Sequence, residues 1–194
     1  LAGLFTPVPT TSATDGEDAW RLLGPFDGDV RCLAVSPTQP DVVYGGRFRQ
    51  VMRSSDSGTT WDWSEDGLRD PRQSPTIESL WVDSERPTVL YAGTNRGVFR
   101  SEDAGIHWRL VHPGYKRFLV RLRIRGAARF YAIRGDSYEL VESRDGCRTW
   151  SAVRTFPDYC CLMVDDESAN LYVSTQGALH LSRDGGGTWE QIDP

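Results

Sequence analysis

From residue 30 to residue 192, apolar and polar positions alternate in short runs, and no window carries apolar residues at sustained helical spacing. Alternation of period two predicts strands whose successive side chains point to opposite faces. The runs come in groups of four. The first group is predicted at Val30–Val35, Val42–Gly45, Gln50–Arg53 and Thr60–Ser64. The second reads IESLWV, TVLYAG, GVFRS and HWRLV, the third FLVRLRI, RFYAI, YELVES and TWSAV, and the fourth CCLMV, NLYVS, ALHLS and TWEQI. The units cover about 27–65, 75–112, 116–154 and 158–192.

One motif separates the third and fourth runs of every unit. It reads SSDSGTTW at Ser54–Trp61, SEDAGIHW at Ser101–Trp108, SRDGCRTW at Ser143–Trp150 and SRDGGGTW at Ser182–Trp189. The shared pattern is Ser-x-Asp-x-x-x-x-Trp, with Gly58, Gly105 and Gly186 at the fifth place and Cys147 in the odd copy. Its aspartates, Asp56, Asp103, Asp145 and Asp184, are 47, 42 and 39 residues apart, a period that suggests solenoids or propellers. A tyrosine stands 12 residues before the Asp in three units (Tyr44, Tyr91, Tyr172) and 14 before it in the third (Tyr131). Four antiparallel strands per unit at this period predict an all-β fold, a β-propeller of four blades.

The motif is predicted to be a hairpin staple between the third and fourth strands. Its Asp accepts backbone N–H groups across its own loop, Gly supplies positive φ, and Trp61, Trp108, Trp150 and Trp189 cover the turn. That structural role is favoured over catalysis or calcium binding. The second copy (Ala104-Gly105-Ile106-His107) and the third, with Cys147 for Gly, are predicted to be strained or altered.

With these residues in view, the repeat resembles the Asp-box, or BNR, repeat of sialidases, xyloglucan hydrolases, sortilin-type receptors and photosystem II assembly factor propellers. The resemblance covers about 170 residues and implies the fold; a propeller hosts many unrelated activities. A sialidase-like site would need an arginine cluster, a Tyr activated by Glu, and an Asp acid. The Arg-Ile-Pro sequence of sialidases is absent, and the adjacent Tyr138-Glu139 would point to opposite faces of a strand. A two-carboxylate glycosidase remains the second reading, with nothing to select a pair among 27 acidic residues.

Composition narrows the rest. A formal charge of −5 argues against nucleic-acid binding, no apolar run is long enough to span a membrane, and the three His and four Cys lack metal-site spacing, so neither metal nor cofactor is expected. Cys32, Cys147, Cys160 and Cys161 are expected as free thiols, mostly buried, with the adjacent pair on opposite faces of a strand. Residues 1–18 read as an extended leader, the opening lacks a basic flank, and Ala19–Pro25 with Asp15 reads as a worn fifth copy that supplies a stray outer strand at Trp20–Leu23. Four blades are few for this repeat, which suggests a fragment, a small closed ring, or a share of an assembly; in a closed ring Cys32 and Cys161 would occupy neighbouring blades.

The charge is unevenly spread: the chain has twenty-one Arg and one Lys, and Tyr115–Arg134 carries seven positive charges and no acid. Within it Arg121, Arg123 and Arg125 alternate with Val120, Leu122 and Ile124, either as a guanidinium face or as stems packed between blades. Propeller topology places Arg47, Arg49, Arg96 and Arg134 in hairpins on the side away from the boxes, with Arg69, Arg72, Lys116 and Arg117 in linkers on that side. The photosystem assembly propellers are known for an arginine patch, and this set resembles it in kind. Guanidinium forks suit carboxylates, so the expected partner is an anionic protein or multi-subunit complex, or an acidic glycan, with the protein acting as an extracytoplasmic scaffold or assembly factor and not as an enzyme.

Overall fold

The structure, a computed structural model, describes residue 24 and residues 29–69, 74–124, 127–158, 160–165 and 167–192, apart from the side chains of Arg123 and Ile124. The leader, the worn copy with its outer strand, Arg72 and Arg125 lie outside the described residues. Among the described residues sixteen strands form four antiparallel sheets, each a simple meander in chain order. The first sheet holds β1 (Cys32–Val35), β2 (Val43–Gly46), β3 (Val51–Ser54) and β4 (Asp62–Ser64). The second holds β5 (Ile77–Val82), β6 (Leu90–Thr94), β7 (Gly97–Ser101) and β8 (Arg109–Pro113). The third comprises β9 (Lys116–Ile124), β10 (Ala127–Arg134), β11 (Glu139–Ser143) and β12 (Ser151–Thr155), and the fourth β13 (Cys161–Asp165), β14 (Asn170–Ser174), β15 (Leu179–Ser182) and β16 (Glu190–Ile192). Among the described residues this is a β-propeller architecture of four blades, whose sheets do not close into a ring. Each predicted unit holds one four-stranded sheet; the fourth strands start two residues later than predicted, because the box Trp stays in the turn.

Register explains how the blades stack. Ala34 pairs with Tyr44, Trp81 with Tyr91, Val120 with Tyr131 and Met163 with Tyr172, so these are equivalent positions on one face of each blade. On the opposite face Leu33, Leu80 and Leu162 are equivalent. The first face of each blade packs on the second face of the next. Cys32, Ala34 and Tyr44 meet Leu80, Val82, Leu90 and Phe99 in one core. Trp81 and Tyr91 meet Leu119, Phe130 and Ala132 in another, where the three aromatic rings lie with centroids 4.7–5.9 Å apart. Val120, Leu122 and Tyr131 meet Leu162, Val164 and Leu171 in the third. No described core joins the fourth blade to the first.

All four cysteines are free. Cys147 and Cys160 are buried; Cys161 is exposed on the opposite side of its strand from Cys160, and Cys32 is half-buried with its thiol toward the Ile77 carbonyl of the second blade. Burial pushes the Cys32 thiol up to about 12 and that of Cys160 up to about 11, which keeps both protonated and unreactive at neutral pH.

Candidate functional site

The boxes are built identically. The Ser Oγ, on a residue 1 % exposed in every copy, accepts the N–H of the fifth residue: Gly58 at 2.8 Å, Gly105 at 2.9 Å, Cys147 at 3.0 Å and Gly186 at 2.8 Å. It donates to Oδ1 of its Asp at 2.8–2.9 Å. That Oδ1 accepts the backbone N–H of Thr60, His107, Thr149 or Thr188 at 2.8–2.9 Å, and the indole Nε1 of Trp61, Trp108, Trp150 or Trp189 donates to the carbonyl of the fifth residue at 2.9–3.1 Å. The loop thereby satisfies its own polar groups.

Two consecutive residues of each box are left-handed: Ser57 and Gly58, Ala104 and Gly105, Gly146 and Cys147, Gly185 and Gly186. Cys147 keeps φ at 69° where the other copies use glycine at 88–95°, so the expected strain is present; each Cβ in this region costs on the order of 1–2 kcal/mol.

Hydrogen bonding sets the carboxyls. The backbone N–H and then the hydroxyl of the threonine hold Asp56, Asp145 and Asp184 down at about 2. At Asp103 burial is the largest single influence and acts upward, but the N–H and ring of His107 with the Ser101 hydroxyl together outweigh it, again giving about 2. All resolved carboxyl shifts among the described residues are downward, Glu102 and Asp165 included. A glycosidase acid needs the opposite displacement.

The boxes also join blades. The hydroxyl of Tyr131 donates to the Gly185 carbonyl of the next blade's box at 3.1 Å, and Tyr44 and Tyr91 lie against Gly105 and Gly146 of the boxes that follow them. The linker turn after β4 is pinned to the second box: Trp108 N–H donates to the Asp66 carbonyl at 2.9 Å, and Ser64 Oγ donates to the Ile106 carbonyl. Arg69, 3.8 Å from Glu65, belongs to this bound turn, and Glu65 Oε1 accepts Gln50 Nε2 of the β2–β3 hairpin at 2.8 Å.

In the second box His107 replaces the usual threonine. Its Nδ1 lies 2.5 Å from Asp103 Oδ2 and its Nε2 3.4 Å from Asp66 Oδ2, so one imidazole bridges two blades. The hydrogen bond to Asp103, then that carboxylate's charge, raises the His107 pKa above 6.5. A raised folded-state pKa means that the contribution to stability is complete below the unfolded value and is lost as pH rises through the folded one. Between pH 6 and 9, thermal melts of the unsubstituted chain are expected to fall relative to those of His107→Thr, whose Tm lacks this step; parallel profiles would remove the bridge from the account.

The arginines divide into two sets. Hydrogen bonds from the box residues Ser57 and Ala104 to the carbonyls of Asp41 and Thr88 put the β1–β2 and β5–β6 loops at the box end of the blades, and the β2–β3, β6–β7 and β10–β11 hairpins at the other. Arg47 and Arg49 flank Phe48 in the first of these hairpins. Phe48 is 56 % exposed and the Arg49 guanidinium stacks over its ring at 5.6 Å. Phe48 bridges to Thr76, which exchanges hydrogen bonds with Asn95, and the Arg96 carbonyl accepts Gly114 N–H at 3.0 Å. One connected rim therefore carries Arg47, Arg49 and Arg96, and none of the three has a carboxylate within salt-bridge distance among the described residues. Arg134 lies at the same end but is paired with Glu139 at 2.8 Å.

Arg121 does not join this set. It sits toward the box end, 10 % exposed, over Trp81 at 5.0 Å and 4.0 Å from Glu85, beside a cavity of about 300 Å³ lined also by Leu33, Val35, Pro37 and Leu80. The alternation in β9 is as predicted, but its outcome is the packed one: Arg121 lies between blades while Leu122 is fully buried against the fourth. Arg123 lies on β9, its side chain undescribed. Lys116 is buried, with Nζ 5.8 Å above the Trp150 ring, and Arg117 stacks on Phe118 at 5.2 Å. Tyr138 precedes β11 in a turn with φ of 50°, not in a strand beside Glu139. Phe48 was not singled out from the sequence; an aromatic between two arginines in a predicted hairpin was the available signal.

These features define a β-propeller built from Asp-box blades. No family model matches the chain, and no curated protein matches it. Among solved structures it is similar to the GH74 enzyme of Niastella koreensis (21 % identity, 85 % of this chain, 30 % of that one, TM-score 0.61). YCF48 from Cyanidioschyzon merolae matches 86 % of this chain over 57 % of its own length, at 15 % identity and TM-score 0.66. A chain of a nidogen/laminin complex matches 85 % and 65 % respectively, at 15 % identity and TM-score 0.66. The chain thus spans less than two thirds of each of these structures, and the likeness is one of fold.

Proposed function

We propose that this chain is a non-enzymatic protein-binding module, a scaffold or assembly factor, that grips an acidic segment of a partner at Phe48, Arg47, Arg49 and Arg96. The observation that carries it is the exposed phenylalanine with the Arg49 guanidinium stacked over its ring, on a rim tied together by Thr76 that also carries Arg47 and Arg96, the three arginines having no carboxylate within salt-bridge distance among the described residues. An aromatic anchor flanked by arginine is the composition of a binding hot spot. Two similar structures are of proteins held with a protein or peptide ligand, YCF48 bound to D1 peptide and the nidogen/laminin complex. An extracytoplasmic location belongs to this reading and rests on the family resemblance.

The test uses fluorescence anisotropy with a labelled peptide of alternating Glu and Phe. Binding is expected to weaken as salt rises. The triple substitution Arg47→Glu, Arg49→Glu, Arg96→Glu should raise Kd about 100-fold, at about 1 kcal/mol per exposed charge contact. Thr188→Ala, in a box, should leave it unchanged. Equal binding by the triple variant, or turnover of sialosides or β-glucans by the unsubstituted chain, contradicts the reading.

A further inference from the structure

We propose that the uncovered face of the fourth blade receives the first blade of a second copy of this chain, through the same junction that the chain forms three times within itself. The fourth blade presents Cys161, Met163, Tyr172 and Leu179, the equivalents of Cys32, Ala34, Tyr44 and Val51, which are packed against the second blade. Met163 is 67 % exposed and Leu179 37 %. The first blade presents the other half: Leu33 is 64 % exposed and Val35 56 %, whereas their equivalents Leu80 and Val82, facing the preceding blade, are 9 % and 5 %. Both halves of one repeated interface are therefore open on the same molecule, and contiguous apolar surface of this kind marks an interaction site.

The repeat also says how the halves meet. Each of Tyr44, Tyr91 and Tyr131 rests on the box of the following blade, and the Tyr131 hydroxyl bonds to the carbonyl of the fourth box residue, Gly185. Tyr172 has no such box among the described residues, and the first box has no preceding tyrosine. In the junction Tyr172 of one copy donates to the Ser57 carbonyl of the other, while Met163 packs against Leu33 and Val35. Two copies that exchange both ends close a ring of eight blades, a head-to-tail contact that terminates instead of propagating.

The experiment is light scattering on the 194-residue chain and on Leu33→Arg and Met163→Arg, each changing a side chain that is about two-thirds exposed in the single chain. The unsubstituted chain is expected at twice 21.8 kDa and each variant at 21.8 kDa. Leu33→Arg retains an intact fourth-blade face and Met163→Arg an intact first-blade face, so an equimolar mixture of the two monomers should pair again through one junction. An unsubstituted chain at 21.8 kDa at every concentration overturns the proposal and leaves the face to a further blade of the same polypeptide. Variants that dimerise like the parent, or a mixture that stays monomeric while the parent dimerises, also overturn it.

Discussion

Replacing Gly67 by alanine is expected to lower the unfolding free energy by about 3–5 kcal/mol, near the upper end for a single substitution. Gly67 has φ of 77°, and a Cβ built there falls 1.6 Å from the Trp108 carbonyl oxygen and 2.6 Å from its carbon. Both are backbone atoms that no rotamer change can move aside. The left-handed penalty for alanine is on the order of 1 kcal/mol. The remainder comes from prising the linker turn off the second box, breaking the bond from Trp108 N–H to Asp66 and opening the core that holds Leu68 and Trp108, 1 % and 4 % exposed. Gly177→Ala is the internal control, since nothing lies within 4 Å of its added Cβ, and it should change stability by less than about 0.5 kcal/mol. Urea unfolding of both variants gives the comparison. A Gly67→Ala chain as stable as the control would mean that the turn is not locked to the box.

Tyr131→Ala should cost about 3–5 kcal/mol, as other buried aromatic truncations do. The ring is fully buried between the third and fourth blades with Leu122, Ile133, Leu162 and Leu171. Tyr131→Phe separates the two contributions: the ring stays, the bond to the Gly185 carbonyl goes, and the loss should be about 1 kcal/mol. If each tyrosine acts within its own blade instead, hydrogen exchange in Tyr131→Phe would quicken around Asp145; the structure predicts that it quickens around Gly185 and Gly186, one blade further on.

That displacement by one blade is where sequence reasoning ran out. The boxes fixed the number of blades and the position of every described strand to within two or three residues, because a motif spaced 39 to 47 residues apart divides the chain without reference to packing. The tyrosine 12 or 14 residues before each Asp was visible as a spacing without a partner, and the register of β2, β6 and β10 shows that its ring faces the box of the next blade. His107 was visible as a departure from threonine, but its second carboxylate, Asp66, lies 41 residues away in the linker turn after β4. For the arginines, alternation in β9 was legible and its consequence was not: Trp81 from the neighbouring blade takes up the Arg121 guanidinium. Hairpin topology was the better guide. It placed Arg47, Arg49 and Arg96 at the end away from the boxes, while the pairing of Arg134 with Glu139, the burial of Lys116 and the binding of the Arg69 turn depended on contacts that local pattern does not encode.

The division of labour between the two ends of the blades is tested most directly by amide chemical-shift mapping with the Glu/Phe peptide. Perturbations are expected at Arg47, Phe48, Arg49, Thr76 and Arg96 that saturate together, with the box amides of Gly58, Gly105, Cys147 and Gly186 unmoved. Shifts centred on the boxes, or on Trp81 and Arg121 beside the inner cavity, would contradict it.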